Sequence, residues 1–115
     1  MVVDANAKIV RELKIKTGTV KRLVKETAYY EKEAVQQAEK AENMKNEAQT
    51  EDEKYNAKKM AEVALESKQM IGDSKRRMEK AAQELLKLIN DNTAELEDSA
   101  ELVEEARQHI VAAGI

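Results

Sequence analysis

No proline occurs anywhere in these 115 residues, and that absence constrains the fold more than any other feature. Proline is the residue that ends a helix most firmly. Without it, a chain rich in Ala, Glu, Lys, Leu and Gln has almost nothing to stop helices once they start. Strand formers are sparse and never alternate for long. The spacing of apolar residues then decides how many helices there are.

One heptad series runs Leu13, Val20, Thr27, Ala34, Ala41, Ala48, with Leu23, Tyr30 and Met44 three residues behind it and Val24 and Ala38 widening the stripe. That is an a/d seam for one long helix. Its residues shrink from Leu and Val to Ala, so helices can approach more closely towards Ala48. A break follows, where Thr50-Glu51-Asp52-Glu53 reads as a capping box with acids in the first turn. The second series is Ala57, Ala64, Ile71, Met78, Leu85, joined by Ala61, Ala82 and Ile89 and by Met60, Ala81 and Leu88. Its register survives Gly72, so one helix is predicted with a weak point at Ile71-Gly72-Asp73-Ser74, where Asp73 or Ser74 is placed to cap a restarted segment. Asn90-Asp91-Asn92-Thr93 is a turn cluster, and Asn92 with Glu95 repeats the cap-and-acid pattern. The third series is Leu96, Ala100, Val103, Ala106 or Arg107, Ile110 and Ala113, closed by Gly114.

The expected fold is all-α: an elongated antiparallel three-helix bundle, a coiled-coil-like rod roughly 50–60 Å long. It forms a single domain over residues 1–115, with helices over about 8–48, 52–90 and 93–113. The third helix is only about half as long as the others. The region around Ala38 to Met60 is then expected to stand as a two-helix hairpin, self-sufficient through its alanines or open to a partner or a second copy.

Charge and composition exclude several functions. The net charge of −3 does not suit nucleic acid. No apolar run approaches the ~18 residues of a membrane span, and the first residues lack a signal-peptide layout. Without cysteine there is no disulfide and no thiolate metal site. These features favour a cytoplasmic protein with no membrane partner.

The run Lys14-Ile-Lys-Thr-Gly-Thr-Val-Lys-Arg-Leu-Val-Lys-Glu26 is basic and amphipathic. The first half of helix one carries Lys8, Arg11, Lys14, Lys16, Lys21, Arg22 and Lys25 against Glu12. The third helix carries Glu95, Glu97, Asp98, Glu101, Glu104 and Glu105 with Arg107. Two readings stay open: mutual neutralisation across the bundle, aided by a Glu12–Lys16 pair, or a basic face that recruits an acidic partner. Lys16 falls in the seam and is expected to snorkel. Lys14, Lys21 and Lys25 share a more exposed side.

No catalytic constellation is legible. His109 is the only histidine, and the three glycines form no phosphate loop. Neighbouring carboxylates such as Glu104 and Glu105 diverge around a helix. No enzyme activity, metal or cofactor is expected. Tyr30 belongs to the seam. Tyr29 is on a more exposed side as a possible anchor, and Tyr55 either covers the hairpin tip or presents a contact.

The Lys14–Glu26 run resembles the tubulin-binding cofactor A family. The likeness continues through Tyr30-Glu-Lys-Glu-Ala34 and Gln36-Gln37. It resumes at Tyr55, Lys58-Lys59, Ala61-Glu62, Glu66-Ser67, Met70-Ile71 and Arg76-Arg77, so it covers most of residues 13–90. The third helix shares only acidity, spacing and Glu105-Ala106-Arg107. Gly72-Asp73 departs from relatives expected to carry a proline before the aspartate. The first ten residues exceed the match and are expected to be disordered.

The resemblance implies a three-helix rod and capture of β-tubulin released from the cytosolic chaperonin. The tubulin would then pass towards αβ assembly with other tubulin-folding cofactors, stoichiometrically and without ATP. It supplies no compact binding motif. Candidate contacts are therefore chosen by exposure and charge: Lys14, Lys21, Arg22, Lys25 and Tyr29, with Arg76 and Arg77 on helix two. The protein is expected to be a monomer or homodimer. The competing reading is a coiled-coil adaptor or helical assembly domain that binds partner helices.

Overall fold

The computed structural model describes residues 2–115, with side chains from residue 6 onward. The chain is all-α. Helix α1 spans Val2–Glu47 and α2 spans Glu51–Asp91. A short 3-10 turn at Glu97–Ser99 leads into α3, Ala100–Ala112. No strand occurs among the described residues. The disorder expected over the first ten residues is not seen from Val2 onward, where α1 is already helical; Met1 and the side chains of residues 2–5 lie outside the described residues.

The ends of the helices follow local chemistry. The Glu53 amide donates to Thr50 Oγ1 at 3.1 Å, and the Thr50 hydroxyl donates to Glu53 Oε1 at 3.1 Å. The capping box therefore closes through the hydroxyl rather than through the Thr50 amide. Its acids, Glu51, Asp52 and Glu53, occupy the first turn, where the helix dipole favours them. At the far end of α3, Gly114 takes φ +84°. Ile115 N bonds Ile110 O at 3.4 Å and Gly114 N bonds Val111 O at 2.9 Å, the paired bonds of a Schellman stop.

As the register predicts, α2 runs through Gly72 as one helix. Two local readings of the sequence need correction. First, Ser74 does not cap a restarted segment. The hydroxyl of Ser74 lies 2.6 Å from that of Thr27 on α1, so it serves a cross-helix bond and not a cap. Second, the third helix starts at Ala100 and not near residue 93. Asn92 Nδ2 donates back to Leu88 O at 2.8 Å, so its side chain extends the end of α2 instead of opening α3. The chain then turns through Leu96 N to Asn92 O, 3.0 Å, and Ser99 N to Leu96 O, 2.9 Å, with Leu96 buried.

The chain divides into two compact units. One comprises Met1–Lys25 with Arg76–Ile115, the other Glu26–Lys75. In the first, α1, α2 and α3 share a core of Leu13, Val20, Ala82, Leu85, Ile89, Leu96, Ala106, Ile110 and Ala113, flanked by residues such as Met78 and Val103. In the second, α1 and α2 form an antiparallel hairpin whose buried residues are Ala34, Ala41, Ala57, Thr27 and Ser74. Polar contacts also cross between the two helices: Thr27 to Ser74, Ser67 to Gln37, and Lys75 to Glu31 at 3.9 Å. The heptad alanines split in their fate. Ala57 is buried, whereas Ala38, Ala61 and Ala100 are exposed.

Candidate partner-binding face

In the three-helix unit, Leu13, Thr17 and Val20 turn into the core. A residue seven further along a helix returns to the same side, and one four further along nearly so. Lys14, Lys21 and Lys25 therefore form one strip on a flank of α1, about 100° round the helix from the core side, with Gly18 between them. All three are exposed, as is Arg22 beside them. Thr17 Oγ1 donates to Leu13 O at 2.7 Å, which satisfies its buried hydroxyl within α1. A Cβ added at Gly18 would meet nothing within 4 Å, so the strip has bare backbone at its middle.

Lys14 and Lys21 also line a groove of about 340 Å³ with Leu13, Thr17, Gly18 and, from α3, Leu102 and Glu105. Glu105 stands 4.0 Å from His109 Nε2 on its own helix. Among the described residues no ion pair joins the basic half of α1 to α3, and none engages Lys14, Lys21, Arg22 or Lys25. Lys16, half-buried as the seam position requires, pairs with Glu84 of α2 at 3.9 Å and not with Glu12. The neutralisation reading thus fails as direct pairing. The cations of α1 remain solvated and able to meet an anionic surface.

Arg76 and Arg77 are exposed at the start of the α2 segment of this unit. Consecutive helical residues diverge by about 100°, so the two arginines do not share a side. Tyr29 falls in the hairpin unit, 61% exposed, with its ring edge-on to Tyr30 at 6.0 Å between centroids. The Tyr30 hydroxyl donates to Glu26 Oε1 at 3.2 Å, which holds the less exposed ring of the pair. The structure therefore groups Lys14, Lys21, Arg22 and Lys25 on α1, sets the two arginines on α2, and leaves Tyr29 in the other unit. Tyr55 is 59% exposed, with Lys59 Nζ 5.3 Å from its ring centroid.

Sequence reading missed an open groove in the hairpin unit, about 730 Å³, lined by Ala38, Ala41, Ala57, Ala61 and Ala64 and by Glu42, Lys45, Lys54 and Lys58. The signal was present in Val35 and Leu65, two large residues off the heptad positions, both strongly exposed. The exposed Ile15 beside the basic strip was missed in the same way. Among the described residues no cluster of His, Asp or Glu is arranged to hold a metal ion, and no helix is long and apolar enough to cross a membrane.

The family described as "Tubulin binding cofactor A" matches residues 8–110. The chain is 53% identical over 95 residues to "Tubulin-specific chaperone A" of Bos taurus, covering 83% of this chain and 84% of the relative. It is 40% identical over 92 residues to "Tubulin-folding cofactor A" of Arabidopsis thaliana, covering 80% and 75%. Among solved structures, "human tubulin chaperone cofactor a" superposes with a TM-score of 0.74 at 44% identity, covering 93% of this chain and 99% of that one. With three helices, a shared core and matches over most of its length, the chain belongs to the tubulin binding cofactor A family, whose members bind rather than catalyse.

Proposed function

We propose that this protein is a tubulin-folding cofactor that captures β-tubulin released from the cytosolic chaperonin and passes it, with other tubulin-folding cofactors, towards the αβ heterodimer. The observation that carries this reading is the family match across residues 8–110, whose relatives are described as chaperones specific for tubulin. Capture is stoichiometric and ATP-independent. No glycine-rich phosphate loop exists in the chain to couple a nucleotide. The protein acts in the cytoplasm. Its contacts are Lys14, Lys21, Arg22 and Lys25 on α1, Arg76 and Arg77 on α2, and Tyr29 in the hairpin unit. The solvated cations steer an acidic partner surface and the exposed ring offers apolar area.

Gel filtration of the protein with β-tubulin diluted from denaturant tests this reading, with α-tubulin as control. Co-elution with β-tubulin alone, unchanged by adding or removing ATP, is the expected result. Co-elution with neither tubulin ends the proposal.

A further inference from the structure

We propose that the open groove of the Glu26–Lys75 unit is a docking site for an acidic amphipathic helix, distinct from the basic strip of α1. The groove floor is alanine from both helices: Ala38 and Ala41 on α1, Ala57, Ala61 and Ala64 on α2. Helical spacing sets Val35 on the side of α1 that carries Ala38 and Glu42, and Leu65 on the side of α2 that carries Lys58 and Ala61. Both are more than half exposed, at 60% and 57%. The face is thus a shallow apolar trough with a larger side chain on each helix. Short side chains on the floor admit the ridge of another helix at close range. The lining on α2 runs from Lys54 to Ala64, the length of about three helical turns.

The rim decides the sign of the occupant. Lys45, Lys54 and Lys58 line the groove against the single acid Glu42. Among the described residues Lys45 and Lys58 form no ion pair, and Lys54 reaches only Glu51, 3.6 Å away and almost fully exposed. An apolar stripe flanked by glutamates matches both floor and rim. A second copy of the same face does not, because it would set lysine rim against lysine rim. The proposal goes beyond tubulin capture and stands whichever protein supplies the helix.

The test uses the full chain and two labelled synthetic helices of about 18 residues, each with a leucine seam. One is flanked by glutamate and the other by lysine. Fluorescence anisotropy is expected to show saturable binding of the glutamate-flanked helix, about tenfold or more tighter than its lysine twin. Ala61→Arg fills the groove while adding charge of the favourable sign, so its expected loss of binding reads as steric. Lys54→Glu with Lys58→Glu, both at exposed positions, is expected to reverse the preference between the two helices. Circular dichroism of each variant confirms retained helicity. Absence of saturable binding, equal binding by Ala61→Arg, or an unreversed preference in the lysine variant overturns the proposal. So does a wild-type dimer in sedimentation that Ala61→Arg converts to monomer, because the groove would then hold another copy.

Discussion

The Thr27–Ser74 hydroxyl pair is the most consequential contact between single residues in the hairpin unit. Both residues are buried at 3% exposure, among small side chains that supply little apolar area. A hydrogen bond contributes about 1 kcal/mol net, and a stranded partner costs more than that. Ser74→Ala and Thr27→Val are each expected to cost about 1–2 kcal/mol in urea unfolding, with the double variant costing less than the sum. Strict additivity would show that the bond contributes nothing. Gly18 behaves oppositely. It lies inside α1, exposed, with open space at its Cβ position. Gly18→Ala should therefore stabilise the protein by about 1 kcal/mol, seen as a higher Tm. Loss of tubulin binding in that more stable variant would mean the bare backbone of the strip is itself a contact. Lys87 is a simpler case: its hydrogen bond to Asp91 at 2.6 Å, with the carboxylate's charge, raises its ammonium pKa above the usual lysine value. Any stability it adds is complete below that usual value and disappears as pH climbs through the raised one. The difference between wild type and Lys87→Met should shrink in strongly alkaline solution, as the Lys87 ammonium loses its proton.

At the scale of elements, helix number, the break before Thr50 and the stop at Gly114 were legible because each rests on a local rule of spacing or capping. Thr50→Ala should cost about 0.5–2 kcal/mol, with thermal unfolding as the measurement. The start of α3 was not legible. Asn92 suits a cap equally well at the end of one helix or the beginning of the next, and the carbonyl of Leu88 decided between them. The fate of alanines was also hidden. A heptad position gives an angle on a helix but not whether a third helix covers it, so Ala57 and Ala61 read alike and end buried and exposed. The basic strip was legible as charge. Its freedom from ion pairs was not, because that depends on Lys16 meeting Glu84 and on Glu105 standing beside His109 of its own helix. Reversing Lys21 and Lys25 to glutamate should weaken tubulin binding about tenfold or more while circular dichroism stays unchanged. Unchanged affinity would remove the strip from the binding surface.

For the whole molecule, the division of core residues between the two units predicts uneven local stability. The three-helix unit buries Leu13, Val20, Leu85 and Ile89 almost completely, and Leu85→Ala should cost about 2–5 kcal/mol. The hairpin unit buries only alanines and hydroxyl residues. Amide hydrogen exchange should therefore be faster across Glu26–Lys75 than around Leu13 and Leu85. Uniform protection along the chain would contradict this.

The placing of the tyrosines has an optical consequence. The chain has three tyrosines and no tryptophan or phenylalanine. Tyr29 and Tyr55 face solvent, and Tyr30 is only partly covered. Light that excites tryptophan alone passes through this protein without a response. In a complex, every such photon emitted comes from the partner, so the folding of a bound, tryptophan-bearing client can be followed in real time without a label and without subtracting its chaperone.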